Sequence, residues 1–268
     1  CMENKILLFI PAYNCEKQIV RVLAQLDEKV MRHIVQVIVV NNRSTDKTEA
    51  AVMDYVNTHP YLPLALLRNR ENYILGGSHK VAFEYAMVNN FDYVIVLHGD
   101  DQGNVHDILP LLENSDYTKY DCCLGARFIQ GAKLQGYSAL RTIANRCFNL
   151  WFSLFCGRML YDLGSGLNLY KVDMLRSHFY LKFPDKLYFN DVMVLAASYY
   201  RQSIKFFPIT WKEDDQQSNV KLFQFGLRLL KMTFSFAFRK KRFMESEMRE
   251  KPVENYEYDV IYENKRSV

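Results

Sequence analysis

The sequence predicts an α/β protein of Rossmann-like architecture, a mainly parallel sheet with helices on both faces. Its short apolar runs are continuous rather than alternating, as strands buried on both faces require. Each run is followed by a polar loop and a helical stretch, and this unit recurs through the first ~125 residues, which implies right-handed crossovers. With 49% hydrophobic content in 268 residues, there is enough apolar material for a sizeable core.

Residues 5–10, Lys-Ile-Leu-Leu-Phe-Ile, form the first strand, bounded by Pro11, and Asn14 is expected to cap a helix over about 15–28. A second strand over 35–40 ends at Asn41-Asn42-Arg43-Ser44-Thr45-Asp46, polar residues suited to a turn and a helix start. Residues 64–67 make a short third strand, with a loop over 72–77 and a helix to about Asn89, and residues 92–97 make the fourth. The second half is less regular: a helix over 138–155, short strands near 166–170 and 204–211, and a helix beginning near Asn190. No internal repeat, low-complexity tract or linker interrupts it.

The 34 basic and 30 acidic residues leave a net charge of +4, too balanced for a nucleic-acid partner, and none is expected. Six cysteines at 1, 15, 122, 123, 147 and 156 lack the spacing of a zinc site or a disulfide framework and read as reduced thiols. Met2 is the expected natural start, with no role for Cys1. The chain opens with no secretory pattern and holds no uninterrupted apolar stretch of ~18 residues, so by this test it is neither exported nor membrane-spanning. The Asn42-Arg43-Ser44 triplet then has no meaning as a glycosylation acceptor.

In open sheets of this kind ligands sit beyond the carboxyl ends of the strands. Three polar loops lie there, over 11–14, 41–46 and 98–102. The strongest signal is His98-Gly99-Asp100-Asp101-Gln102. A departing sugar diphosphate must have its charge neutralised, and a hard divalent ion held by one or two carboxylates does this. Asp100 is the first candidate ligand, and Gln102, two residues on, can add a neutral oxygen from the same side of an extended segment. A Gly- and Asp-rich turn is the bland alternative.

Together these segments resemble a known family, the GT-A fold glycosyltransferases of family 2, and within it dolichol-phosphate mannose synthase and related polyprenyl-phosphate glycosyltransferases. The resemblance spans about residues 5–220. It is carried, in order, by Pro11-Ala12-Tyr13-Asn14, Val39-Val40-Asn41-Asn42-Arg43-Ser44-Thr45-Asp46, the Asp100 segment, Gly125-Ala126-Arg127 and Gly164-Ser165-Gly166-Leu167-Asn168-Leu169-Tyr170.

The resemblance implies an inverting, metal-dependent transfer of sugar from a UDP- or GDP-sugar to a polyprenyl phosphate or to a sugar hydroxyl in surface glycan assembly. It puts Pro11, Ala12, Tyr13, Asn14, Asn42, Ser44, Gly99, Asp100 and Arg127 around the donor. Asn42 stands where members usually carry a base-reading aspartate, and an amide can still read a base edge. Asp100, Gln102 and His98 fall at the metal, Mn2+ or Mg2+, and Arg141 matches a basic residue holding phosphate. Asp191 is placed as the general base for a hydroxyl acceptor; for a phosphate acceptor it only positions, and its structural alternative is a helix cap.

Two departures stand out. His98 replaces the first aspartate of the usual Asp-x-Asp, either as a metal ligand favouring manganese or as a packed strand-end residue. The lysine of related lipid-phosphate enzymes is missing, with Ser218-Asn219 before Lys221 in its place. Lys80, one turn into the helix after Gly76-Gly77, is a further donor-side candidate outside the catalytic set.

The chain divides into a catalytic domain over 2–220, an amphipathic basic helical segment over 221–251 and a tail over 252–268. From 221 onward Lys221, Gln224, Arg228, Lys231, Ser235 and Arg239 line one stripe between apolar residues, followed by Arg239-Lys240-Lys241-Arg242. This suits a bilayer interface, hence a peripheral protein on the cytoplasmic face of a membrane, or else a helix docked on the domain or on a second subunit of a homo-oligomer. The tail, with Tyr256, Tyr258 and Tyr262, is either an arm packed on a neighbour or mobile. A catalytically weakened nucleotide-sugar-binding scaffold at the membrane is the alternative function. A dinucleotide oxidoreductase is excluded, because Pro11-Ala12-Tyr13 occupies the place of the Gly-x-Gly-x-x-Gly turn.

Overall fold

A computed structural model of the chain describes residues 4–213 and 222–264, with residues 222–225 in backbone only. All seven residues of β1 (Ile6–Ala12) are buried. Leu7 and Phe9 join one hydrophobic layer, and Ile6, Leu8 and Ile10 join another. Alternate side chains thus find apolar partners on opposite faces, which is why the run has no polar phase.

Helices α1 (Glu16–Ala24) and α2 (Glu28–Met31) lead to β2 (Gln36–Asn41), α3 (Thr48–Thr58) to β3 (Leu64–Asn69), and α4 (Ile74–Val88) to β4 (Tyr93–Leu97). The single helix expected over 15–28 is two helices, the second capped by Asp27, whose carboxylate accepts from Val30 N at 3.0 Å. Asn14 does not cap the first. Its φ of 48° is left-handed, and its side chain reaches the next loop instead. The first turn is served from that loop, where Asp46 accepts from Glu16 N at 3.1 Å. The loop expected over 72–77 is shorter than its sequence suggests, because the helix already begins at Ile74.

Beyond α5 (Leu109–Glu113) come β5 (Cys122–Ala126), β6 (Lys133–Gln135), α6 (Ala139–Cys156), β7 (Leu167–Lys171), α7 (Val172–Leu175) and α8 (Phe189–Tyr199). The segment expected as one strand over 204–211 is split into β8 (Ile204–Pro208), in the main sheet, and β9 (Thr210–Lys212), paired with β6. The chain leaves the main sheet at a proline, which has no amide to donate. Helices α9 (Leu222–Phe238) and α10 (Lys240–Glu245) and strand β10 (Tyr258–Glu263) complete the order.

The main sheet has the order β10-β3-β2-β1-β4-β7-β5-β8. Only β7 and β10 run against the rest. The tail therefore contributes an edge strand to this chain's own sheet, antiparallel to β3. Strands β1, β2 and β4 end at one edge, and β7 starts there because Leu97 pairs with Leu167. That brings four polar loops together. No helix among the described residues is long and apolar enough to cross a membrane.

Candidate active site

Two of those loops are stitched together by short polar side chains. Asn14 Oδ1 accepts from Thr45 N at 2.8 Å, and Asn14 N donates to Ser44 Oγ at 3.1 Å. Asn41 accepts from Ser44 N at 2.9 Å and donates to Glu49, which also receives Arg68. Tyr13, beside Asn14 in the first of these loops, is left 51% exposed. Pro11 and Ala12 are buried beneath it.

Asn42 is buried, and its amide is largely committed. Its Oδ1 accepts from Asn69 Nδ2 at 2.9 Å and Tyr73 N at 2.8 Å, while Nδ2 donates to Asn72 at 2.8 Å. The side chain thus orders the start of α4. Only the second Nδ2 hydrogen is left for a ligand.

At the end of β4, Gly99 N donates to Pro11 O at 3.1 Å. A Cβ at Gly99 would lie 2.7 Å from that carbonyl oxygen, so only glycine permits this approach of β4 to β1. Asp100 follows, half-buried, with Oδ1 accepting from Gln102 N at 3.2 Å. Burial pushes its carboxyl up to about 6, and the groups acting on it include no cation. Asp101 turns away with a φ of 60° and binds Arg21 at 2.6 Å and Gln25 at 3.1 Å. Gln102 O accepts from Lys212 N at 2.9 Å, fixing the segment to β9.

His98 is packed against Gly166, where a Cβ would stand 2.9 Å from its Cγ. Its Nε2 is buried with no hydrogen-bond partner among the described residues, and burial lowers its pKa to about 4, helped by Arg127. Behind it, 6.1 Å between ring centroids, lies His79, held near 3 by burial and by His98. Among the described residues no three His, Cys, Asp or Glu side chains gather as a metal cage. The donor set fits an ion carried on one carboxylate, Asp100, whose desolvated charge has no counter-charge of its own.

Arg127, at the end of β5, grips Asp162 bidentately, Nε to Oδ2 and Nη2 to Oδ1, both at 2.8 Å. It also donates to Gly164 O at 3.1 Å and lies over the Trp211 ring at 5.2 Å. Burial works against its charge, but Asp162 outweighs it and holds the guanidinium above its ordinary range. Asp191, in the first turn of α8, is buried, and among the described residues no other residue donates a hydrogen bond to its carboxylate. Burial and then Asp162 push it up to about 8, with Arg127 pulling the other way. Arg141 pairs with Glu213 and lies over Tyr137 at 4.6 Å. Both arginines that the sequence offers for phosphate are therefore engaged with carboxylates. Residues 218, 219 and 221, where the lysine departure falls, lie outside the described residues.

Lys80 is not at the cleft surface. Its ammonium is wholly buried, donating to Phe183 O at 2.6 Å, Asp185 at 2.7 Å and Tyr256 OH at 3.1 Å, and burial lowers its pKa to about 8. Sequence reading missed Asp162, Trp211 and Glu213, which position the arginines. The only signal was that Asp162 stands two residues before the quoted glycine-rich segment, where an aspartate also reads as a turn former.

The family model of glycosyl transferase family 2 matches residues 8–179. The chain is 27% identical over 186 residues to the uncharacterized protein MJ0544 of Methanocaldococcus jannaschii, covering 67% of this chain and 76% of that one. A second uncharacterized protein of that organism, MJ1222, is 26% identical over 172 residues, 64% of this chain and 66% of its own. Among solved structures, S. aureus TarS 1-349 in complex with UDP-GlcNAc has 19% identity and a TM-score of 0.58 over 90% of this chain and 69% of that one. Mycobacterium tuberculosis glucosyl-3-phosphoglycerate synthase with Mn2+ and UDP-glucose has 14% identity and a TM-score of 0.58 over 87% and 79%. At such identities the structural likeness is one of fold.

Proposed function

The chain belongs to glycosyl transferase family 2, and from that premise and the geometry of its site we propose that it is an inverting, metal-dependent glycosyltransferase using a UDP-sugar. UDP is preferred to GDP because both solved relatives named above carry a uridine nucleotide. Asp100 would hold a divalent ion, Mn2+ or Mg2+, which when bound would supply charge neutralisation for the leaving diphosphate. Tyr13 offers a face to the base, and the Asn14–Ser44 stitch holds the base-side loops still.

The observation that carries the reading is Asp191, a buried carboxylate to which no other residue among those described donates a hydrogen bond, with a pKa raised to about 8. Such a group takes the proton of an acceptor hydroxyl as its oxygen attacks the anomeric carbon from the face opposite the diphosphate. The bond to the diphosphate oxygen breaks, its electrons leave with that oxygen, and the configuration inverts. The pairing of Arg127 with Asp162 and of Arg141 with Glu213 offsets both guanidinium charges and so favours a sugar hydroxyl over a polyprenyl phosphate, which calls for an uncompensated cation. We propose a glycan acceptor in surface polysaccharide assembly, met by a peripheral protein at the cytoplasmic face of a membrane.

Thermal unfolding with UDP-, GDP- and TDP-sugars, with and without manganese, tests the donor site. Manganese-dependent stabilisation by one nucleotide class is expected, and Asp100→Asn should abolish its metal dependence. Equal stabilisation of that variant would remove Asp100 from the site. Tight donor binding without transfer to any glycan would favour the scaffold.

A further inference from the structure

Helix α6 carries an apolar stripe that is exposed among the described residues. Leu140, Ile143, Leu150 and Leu154 are 78%, 60%, 55% and 69% exposed, and their spacing of three, seven and four places them along one face. Helix α9 lies beside it, closely enough that a Cβ at Gly226 would stand 3.1 Å from the Phe148 ring. Its buried residues Leu229, Met232 and Phe236 dock on the domain, while Phe234 and Phe238 remain exposed next to the α6 stripe. The Phe234 ring is 5.4 Å from that of Trp151, an aromatic seam joining the two helices. Eight of the eighteen exposed large apolar side chains among the described residues lie on α6, on α9 or at Met159 just past α6. That is concentration, not the usual scatter.

The charge around this face is mainly positive, with the exposed Glu245 standing 3.9 Å from Lys241 as a partial offset. Neither α6 nor α9 contains an Asp or Glu. Arg146 is exposed on α6, and Arg239, Lys240, Lys241 and Arg242 are all exposed directly after α9. A second copy laid on this face would bring cations against cations. An anionic surface with an apolar interior complements both features.

We propose that the paired α6–α9 face seats the protein on an anionic lipid surface, with α6 as the main apolar element. This goes beyond a C-terminal anchor, because α6 starts at the reaction site. Its first turn holds Arg141, paired with Glu213 and lying over Tyr137, and it packs on α8, which carries Asp191. A bilayer under α6 therefore stands beside the Asp191 end of the cleft and presents an acceptor carried on a lipid. That last consequence rests on the transferase reading; the binding face does not.

The test is co-sedimentation of the full chain with phosphatidylglycerol or phosphatidylcholine vesicles, in the absence of donor. Strong, salt-sensitive binding to phosphatidylglycerol is expected, with at least roughly tenfold weaker binding after Leu150→Asp with Leu154→Asp. Lys240→Glu with Lys241→Glu should remove the preference for phosphatidylglycerol, and Val88→Asp, exposed on α4, should change nothing. Brominated phosphatidylglycerol should quench Trp151 and spare the buried Trp211. Thermal unfolding confirms that each variant is folded. Three results would overturn the proposal: no binding by the natural chain, binding indifferent to Leu150 and Leu154, or a dimer in sedimentation velocity that the same substitutions dissolve. Donor-dependent stabilisation, measured separately, fails or survives independently of all three.

Discussion

Asp191 and Asp100 are both carboxylates that fold into less water than they had unfolded, and each keeps a proton longer for it. For Asp191 this sets a pH dependence. A base must be ionised to accept, so kcat/KM should rise with pH and level off above about 8, the range to which burial and Asp162 push this group. Asp191→Asn should lower kcat by about 10²- to 10⁴-fold with little change in donor KM. A variant retaining most of its kcat would remove Asp191 from the catalytic set. The residue type and its place at a helix start were legible in sequence. Its pKa was not, because the group that raises it besides burial, Asp162, lies 29 positions away in the chain (191 − 162).

At the scale of elements, the junction of β1 and β4 depends on one missing side chain. Gly99→Ala puts a Cβ 2.7 Å from Pro11 O, a backbone atom that cannot swing aside. A loss of about 1–3 kcal/mol in urea unfolding is expected, together with weaker donor-dependent stabilisation, since Asp100 moves with the strand end. Stability equal to the natural chain would mean that the strands separate at no cost. The C-terminal segment carries a second dependence. Tyr256 OH donates to Asp185 at 2.8 Å and accepts from the buried Lys80 ammonium at 3.1 Å. Tyr256→Phe should cost about 1–3 kcal/mol, because it takes a partner from a buried cation. An unchanged urea midpoint would show that water replaces the hydroxyl. Nothing in the polar pattern near Tyr256 announced either this contact or strand β10, since an edge strand pairs with whatever edge the fold leaves open.

For the whole molecule, the shifted groups act on stability in different pH windows. The His79 and His98 pKa values are depressed to about 3 and about 4, so their contribution is present above about 6.5 and is lost as pH falls toward those values. Asp100 and Asp191 are raised, so their contribution is full below about 4 and is lost as pH rises through about 6 and about 8 respectively. Between pH 6.5 and 8 the Asp191 loss is the main one left running. Stability should then fall by at most about 1.4 kcal/mol per pH unit. Melting temperatures across this window check it: Asp191→Asn should flatten the decline, and an equally steep fall in that variant would assign it to other groups.

Read without coordinates, the chain already shows the direction and burial of the central strands, the loops that gather at their ends, and the family to which they belong. Each of these follows from short-range patterns: continuous apolar runs, polar residues directly after them, and motifs in a set order. Folding sets the rest: Asn42 commits most of its amide to the α4 turn, Arg127 and Arg141 are held by Asp162 and Glu213, and Lys80 is buried. The tail also closes the sheet edge, and α6 keeps an apolar stripe facing outward. Local sequence sets which groups a residue offers, while the partners those groups meet come from segments tens to hundreds of residues away, and only the folded chain brings them within bonding distance.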